Sequence, residues 1–192
     1  MIAEKKEIED QKLLRCFIAL ELSRETIEEI EEIQKLIKKK NLFYGKFTEP
    51  ENLHLTLKFL GELDEDKIEE VKKKLRGIKF NDFEVSLGEA GTFINRYNSL
   101  LWVKLNGKGI WDLQELLDEK LKDIFSKEER FMSHITIARM KKIPSKNLLL
   151  EYVKSMKIKK IKFQVRDFIL KKSELKSDGP VYTNIETYEL KN

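Results

Sequence analysis

The sequence predicts an α+β protein with two pseudo-symmetric lobes, each an antiparallel sheet with outer helices, around a central cleft. Apolar segments rich in β-branched and aromatic residues alternate with segments whose apolar residues recur at helical spacing. The order of these elements in the first half of the chain recurs in the second half. The only two histidines, His54 and His134, each lie in a His-x-Thr motif, and the motifs are 80 residues apart.

The first half begins with a predicted strand, LLRCFIALEL, followed by a helix. Ser23 is the expected N-cap of that helix, SRETIEEIEEIQKLIKKK, whose isoleucines share one face. A loop through Gly45 and Pro50 leads to the strand HLTLKFLG, and Asp64 caps the helix DEDKIEEVKKKLRG. FEVSLGEAGTF and SLLWVKL are predicted strands, joined by a turn at Asn95–Asn98.

The second half repeats this order. From the strand SLLWVKL it continues with the helix GIWDLQELLDEKLKDIF, the strand SHITIARM, the helix SKNLLLEYVKSM and the strands IKFQVRDFILKKSEL and VYTNIETYEL. Gly179-Pro180 predicts a turn ahead of the last strand.

The repeat has a constant spacing, which predicts an internal duplication with an offset of 80 residues. Identical pairs at this offset are His54 and His134, Thr56 and Thr136, Ile78 and Ile158, Lys79 and Lys159, Phe83 and Phe163, and Val85 and Val165. Since Ile and Lys are frequent in this chain, the doubled motif and the element order carry the prediction. We expect residues 1–12 to form a polar N-terminal tail and residues 13–192 a single bilobal domain.

The composition predicts a folded cytoplasmic protein, and we expect it to be a monomer without a membrane partner. The chain is 41% hydrophobic, and no segment approaches the roughly 18 uninterrupted apolar residues of a membrane span. The charged N-terminus does not resemble a signal peptide. Cys16, the only cysteine, is expected to be a buried small hydrophobe. A net charge of +4 is compatible with an anionic ligand, but a dedicated duplex binder is usually more basic.

The two His-x-Thr motifs present the same pair of polar side chains. Side chains alternate along a strand, so His54 and Thr56 point to one face and the neighbouring leucines to the other. His134 and Thr136 do the same. A single histidine on a strand is usually a structural or exposed residue, but a solvated face gives no reason for both copies to keep His and Thr.

Two imidazoles and two hydroxyls suit acid–base chemistry at phosphorus. One imidazole can hold a proton while the other accepts one, and the hydroxyls can donate to non-bridging phosphate oxygens. A strained cyclic diester needs only protonation of its leaving oxygen, so water can be the nucleophile. Two histidines without nearby carboxylates or cysteines make an incomplete metal site. We therefore expect no metal and no other cofactor, and the absence of a Gly-rich phosphate loop argues against required ATP.

At these residues the chain resembles the 2H phosphoesterase superfamily, and specifically its RNA 2′,3′-cyclic phosphodiesterase branch, also called 2′-5′ RNA ligase-like. The resemblance runs from about Arg15 to Leu190. It includes RCFIALEL, NLHLTLKFLGEL, SHITIARMKK and KKSELKSDGPVY. It implies a bilobal fold with a central cleft and hydrolysis of the cyclic end of RNA to a 2′-phosphate.

The resemblance also assigns roles to the motif residues. His54 is implied to be the proton donor to the leaving 3′ oxygen, and His134 the proton acceptor that activates water. Thr56 and Thr136 are implied to hold the phosphate.

Four further residues are candidate substrate contacts. Arg139 matches an arginine of the family, but strict alternation points it away from the His134 face unless the strand bends near Ala138. Lys58 shares the His54 face and is a candidate for attracting phosphate, against the alternative of a solvated surface lysine. Phe17 and Tyr182 are candidates to stack on the terminal base, with core packing the alternative for Phe17.

The sequence leaves three alternatives open. The cellular reaction could be 2′-5′ joining of tRNA halves, because the reverse of the hydrolysis with a 5′-hydroxyl end forms that bond. The chain could instead be a non-catalytic binder of RNA ends. A third alternative is hydrolysis of a small cyclic nucleotide or of ADP-ribose cyclic phosphate.

Overall fold

The computed structural model describes residues 13–96, 99–177 and 179–191. The predicted tail, residues 1–12, lies outside them. The elements, in order, are β1 (Leu14–Leu20), α1 (Arg24–Lys40), β2 (Tyr44–Phe47), a short 3₁₀ helix (Pro50–Asn52), β3 (Leu55–Leu63), α2 (Glu65–Arg76), β4 (Phe83–Phe93), β5 (Ser99–Asn106), α3 (Lys108–Leu121), β6 (His134–Lys142), α4 (Lys146–Ser155), β7 (Lys162–Val165), β8 (Asp167–Lys176) and β9 (Gly179–Glu189).

The four predicted helices are present, which confirms the helical periods. The side chains of Ser23, Asp64 and Ser145 cap α1, α2 and α4 by accepting a hydrogen bond from a backbone N–H of the first turn. The helix α3 ends at Leu121, four residues before the predicted end. None of the helices in the described ranges is long and apolar enough to cross a membrane.

The strands differ from the prediction in two places. The predicted loop through Gly45 contains the strand β2, which pairs with β6. The long segment IKFQVRDFILKKSEL is interrupted at Arg166 and forms two strands that lie in different parts of the sheet. Both differences depend on pairing with a partner strand distant in sequence, which a local pattern does not report.

The described strands form one antiparallel sheet with the order β7-β4-β5-β6-β3-β1-β8-β9, and β2 adds to β6. We call β3, β1, β8 and β9 the first half-sheet, and β6, β5, β4 and β7 the second half-sheet. The two meet where β3 and β6 pair at a single residue pair, Leu55 and Ile135. The α+β class and the antiparallel pairing are as predicted.

The half-sheets do not coincide with the halves of the sequence. The strand β4 belongs to the first half of the chain but pairs with β5, and β8 belongs to the second half but pairs with β1. Ile18 in β1 lies between Lys58 and Leu170, and Leu101 in β5 lies between Ala138 and Thr92. The first half of the chain therefore gives β4 to the second half-sheet, the second half gives β8 and β9 to the first half-sheet, and β4 corresponds to β8.

Two of the residue matches at offset 80 lie in strands that pair with each other. Phe83 in β4 lies opposite Val165 in β7, and Val85 lies opposite Phe163. This register does not test the matches of Phe83 with Phe163 and of Val85 with Val165, which stay predictions. The duplication itself stays a prediction.

A β-bulge interrupts each motif strand just after its His-x-Thr motif. In β3, Ala19 lies opposite Thr56 and Ile18 opposite Lys58, which leaves Leu57 as the extra residue. In β6, Trp102 lies opposite Thr136 and Leu101 opposite Ala138, which leaves Ile137 as the extra residue. Beyond each bulge the alternation of faces is reversed.

The helices pack on one face of the sheet and enclose the hydrophobic core. Its helical members include Ile33, Ile37, Leu113 and Leu117, each fully or nearly fully buried. A Leu or Ile buried in this way contributes roughly 1.5–3 kcal/mol. Phe17, Ala19 and Ile169 are also buried but lie outside this core cluster. They belong to the opposite face of the first half-sheet, which carries His54.

We predict that Gly91→Ala destabilises the fold. Gly91 lies opposite Trp102, and a Cβ at residue 91 would lie 2.3 Å from two atoms of the Trp102 indole. The indole has to move, so we expect the free energy of unfolding to fall by about 1–3 kcal/mol. Urea unfolding followed by tryptophan fluorescence measures this change.

The matched control is Gly77→Ala, whose new Cβ would meet its nearest neighbour at 3.4 Å with φ of −83°. We expect the control to change stability by less than about 0.5 kcal/mol. Equal stability of both variants would show that the Trp102 ring is not confined over Gly91.

Candidate active site

The pairing of Leu55 with Ile135 between the half-sheets brings the two His-x-Thr motifs together. Because Leu55 lies opposite Ile135 in an antiparallel pair, the register places His54 across from Thr136 and Thr56 across from His134. All four side chains flank the paired residues on the face away from the core. The pairing therefore forms one site from two segments 80 residues apart.

The His54 ring is oriented by the segment that directly precedes β3. Its Nδ1 donates to the carbonyl oxygen of Asn52 at 2.8 Å, at the end of the 3₁₀ helix. Asn52 in turn donates from Nδ2 to the carbonyl oxygen of Pro180 at 3.1 Å, which ties this turn to β9. The hydroxyl of Thr56 lies 3.1 Å from Nε2. With the proton on Nδ1, the Nε2 atom of uncharged His54 is an acceptor.

The His134 ring is held in the same way. Its Nδ1 donates to the carbonyl oxygen of Met132 at 2.7 Å, so both histidines bond the carbonyl two residues before them. The ring of Phe93 meets His134 edge-on, with centroids 5.2 Å apart. Nε2 of each histidine is thereby left for proton exchange.

The environment of His54 disfavours its charged form. The pKa of His54 is lowered from 6.5 to about 4, chiefly by burial and against the opposing effect of the Asn52 carbonyl. The nearby charges of Lys171, Arg139 and His134 contribute to this lowering. Without a bound anion, His54 is therefore uncharged at neutral pH.

Arg139 and Tyr182 lie together beside His54. Tyr182 meets His54 edge-on at 5.0 Å between centroids, and its side chain hydrogen-bonds Arg139. Burial raises the pKa of Tyr182, partly offset by Arg139. Arg139 reaches this position because the bulge at Ile137 supplies the bend near Ala138 that strict alternation lacks.

Phe17 supports the His54 ring rather than offering a surface. It is 3% exposed, and its ring centroid lies 5.0 Å from that of His54 and 5.1 Å from that of Tyr182. A base cannot stack on a ring that is already covered. The expectation that Phe17 stacks on the terminal base is therefore wrong, and its alternative, packing, describes this residue.

Lys58 is not in the site. The bulge at Leu57 turns it to the core side, where it is 4% exposed. Its Nζ donates to Oδ1 of Asp118 at 2.5 Å and to the carbonyl oxygen of Ser126 at 2.8 Å. Both sequence-based interpretations, a phosphate contact and a solvated surface lysine, are therefore wrong.

The buried pair instead anchors the segment that leads to His134. Oδ2 of Asp118 accepts from Nε2 of Gln114 and from the backbone N–H of Glu128. Burial alone would raise the pKa of Asp118, but these donors and Lys58 hold it below its usual range. Lys58 and Asp118 thus fix the chain between α3 and β6.

Two residues near His54 were missed by the sequence analysis. Phe59 is 71% exposed and pairs with Phe17 across β1 and β3, at 6.3 Å between ring centroids. Lys171, in β8, lies opposite Phe17 on its other side. The sequence did hold a signal for Phe59, because it follows His54 by five residues, as Arg139 follows His134. Lys171 has no comparable spacing from either histidine that would have indicated its place in the site.

Comparisons with known proteins identify a family and relatives that match most of the chain. A family model described as LigT-like phosphoesterase matches residues 20–102 and 106–182. The chain is 35% identical over 185 residues to the RNA 2′,3′-cyclic phosphodiesterase of Methanothermobacter thermautotrophicus, covering 92% of this chain and 99% of that one. It is 32% identical over 178 residues to the protein of the same name from Methanocaldococcus jannaschii, covering 91% and 100%.

Solved structures show the same fold. A Thermus thermophilus protein has a TM-score of 0.75 at 27% identity, covering 92% of this chain and 97% of that one. Escherichia coli LigT in its apo form has a TM-score of 0.76 at 22% identity, covering 94% and 99%.

We predict that Asp118→Asn strongly destabilises the protein. The substitution leaves the Lys58 ammonium buried without its counter-charge, and breaking a buried pair typically costs about 3–5 kcal/mol. Chemical denaturation gives the change in unfolding free energy. Glu119→Gln is the control, because Glu119 pairs with Lys122 on the surface and we expect its loss to cost under about 1 kcal/mol. Similar values for the two variants would contradict the anchoring role.

Proposed function

The chain belongs to the LigT-like phosphoesterase family, and on that premise we propose that it hydrolyses the 2′,3′-cyclic phosphate at RNA ends to a 2′-phosphate. The observation that carries the proposal is the pairing of Leu55 with Ile135, which joins two His-x-Thr motifs in one site. The relatives named RNA 2′,3′-cyclic phosphodiesterase, aligned over nearly their whole length, support the same substrate class.

In the proposed reaction the cyclic phosphate lies between the two motifs. His134 accepts a proton from water, whose oxygen attacks phosphorus, and His54 donates a proton to the 3′ oxygen as its bond to phosphorus breaks. The hydroxyls of Thr56 and Thr136 donate to non-bridging oxygens and stabilise the charge of the transition state. The carbonyl partners of both Nδ1 atoms orient the rings so that Nε2 is the atom that exchanges the proton.

Arg139 is the cationic contact to the phosphate in this proposal. Its guanidinium shares the His54 side of the site with Tyr182, within reach of the same anion. A guanidinium can donate two parallel hydrogen bonds to phosphate oxygens, and such charge-assisted bonds are about twice as strong as neutral ones. The Tyr182 hydroxyl orients this side chain.

Phe59 is the proposed surface for the terminal base. Phe59 and Arg139 are the second residues beyond equivalent bulges, so the two half-sheets offer an exposed ring and a cation at corresponding places. A nucleoside stacked on Phe59 lies on the His54 side, which places its 3′ oxygen near the proposed donor. Stacking tolerates any base, so weak base preference is expected.

We predict that both histidines are needed for turnover. A short RNA ending in 2′,3′-cyclic phosphate is incubated in EDTA with wild type, His54→Ala or His134→Ala, and the product terminus is identified. Conversion to a 2′-phosphate by wild type is expected, with kcat lowered by about 10²- to 10⁴-fold in each variant. Ring opening only after a divalent ion is added would overturn the metal-free mechanism.

Other products of the same assay separate the alternatives. A ribonuclease-resistant 2′-5′ bond formed with a 5′-hydroxyl RNA would indicate ligation as the reaction. RNA bound by wild type and by both histidine variants, without turnover, would indicate a binder of RNA ends. Turnover restricted to mononucleotides would indicate a small cyclic nucleotide as substrate.

We predict that Phe59→Ala weakens use of RNA ends without removing the chemistry. Loss of one base-stacking contact costs about 1–3 kcal/mol, so kcat/KM is expected to fall roughly 5- to 150-fold, mainly through KM. Steady-state kinetics on cyclic-phosphate RNA measure this change. Tyr44→Ala is the control, since Tyr44 is an exposed aromatic opposite Lys142 at the far end of β6. Unchanged KM in Phe59→Ala would contradict the stacking role.

A further inference from the structure

A buried lysine lies in the wall of the site beside His54. Lys171 is 7% exposed, and its Nζ donates to Oε1 of Glu21 at 2.8 Å. Glu21, directly after β1, also hydrogen-bonds the side chain of Asn184 in β9. A buried ammonium is costly unless it is paired, and Glu21 is the carboxylate that pairs it.

The fold does not require a lysine at this position. Lys171 in β8 lies opposite Phe17 in β1, and the corresponding residue in the second half-sheet is Phe93, which lies opposite Leu100 in β5. Phe93 packs against His134. An apolar side chain therefore fills the equivalent place beside the other histidine, and the charge at Lys171 needs a different explanation.

We propose that Lys171, held by Glu21, is a positioning residue that makes protonation of His54 conditional on a phosphate anion in the site. This inference rests on the proposed function, because it concerns the state of the proton donor. It assigns Lys171 to the control of His54 and not to contact with the reacting atoms.

The charges that face His54 explain how the coupling works. Lys171 from β8 and Arg139 and His134 from β6 oppose a positive charge on the ring, while Glu21 favours it. Tyr182 from β9 contacts the ring and is uncharged at neutral pH. In the empty site burial makes the largest contribution and these cations add to it, so that the pKa of His54 is about 4.

A phosphate anion reverses this balance. Its negative charge offsets the cations, so Nε2 of His54 takes up a proton from solvent while Nδ1 keeps its bond to Asn52. The donor is then charged when the substrate is present and uncharged when the site is empty. Repulsion between the imidazolium and the two cations is thereby confined to the complex, where the anion screens it.

Histidine NMR titration of the full chain tests this inference, because only two histidines are present. In phosphate-free buffer the pKa of His54 in wild type is expected near 4, and inorganic phosphate is expected to raise it by about one unit or more. Lys171→Met is expected to raise the pKa in the empty site and to shrink the response to phosphate. Lys171→Arg should behave as wild type.

Glu21→Gln is expected to shift the pKa of His54 in the opposite direction, which distinguishes an electrostatic effect from a folding defect. It leaves Lys171 without its counter-charge, so the pKa of His54 is expected to fall. The matched control is Lys172→Met, which removes the same charge from the neighbouring residue, paired with Glu174 and opposite Cys16. We expect Lys172→Met to leave the His54 titration unchanged.

Two results would overturn the inference: a His54 titration that is the same in Lys171→Met as in Lys172→Met, or a wild-type titration that phosphate does not move. Neither depends on turnover. If wild type fails to cleave cyclic-phosphate RNA while the titrations behave as expected, the proposed function fails and the control of His54 by Lys171 stands.

Discussion

The position of every proposed catalytic group depends on one residue pair, Leu55 with Ile135, where the two half-sheets touch. Each partner sits between the histidine and the threonine of its motif, so this register sets which side chains face each other. Because side chains alternate with a period of two, a slip of one residue would turn one motif into the core. The strand exchange of β4 and β8 strengthens this junction by tying each half of the chain to both half-sheets.

The bulges after the motifs solve a geometric problem. Without a bulge, Lys58 and Ala138 would share the face of the His and Thr side chains. Each bulge inserts one residue, so that Phe59 and Arg139 occupy that face instead. In β6, the carbonyl oxygen of the bulged Ile137 accepts from Nε2 of Gln34 at 2.9 Å and from the backbone N–H of Thr48 at 3.0 Å. Hydrogen bonds from α1 and from the segment after β2 therefore stabilise the bulge that brings Arg139 to the site.

The two buried lysines of the first half-sheet lie in different electrostatic surroundings. Lys58 lies on the core side, where Asp118 compensates its charge and the pair serves the fold. Lys171 lies on the face that carries His54, where Glu21 is half exposed and the charge still acts on His54. In a site shielded from water such charges are weakly screened, so a fixed cation beside the imidazole changes its proton affinity.

The sequence by itself determined the four helices, the caps Ser23 and Asp64, and the motif strands. It also determined that His and Thr of each motif share one face, and the chemistry these residues suit. Those features follow from local periodicity and residue type, which each segment carries alone. Only the tertiary structure decided the strand exchange, the strand β2, the burial of Lys58 and Phe17, and the presence of Phe59 and Lys171 beside His54. A bulge is set by the partner strand and by side chains such as Gln34, which are distant in sequence, and beyond it the period of two no longer predicts which face a residue occupies.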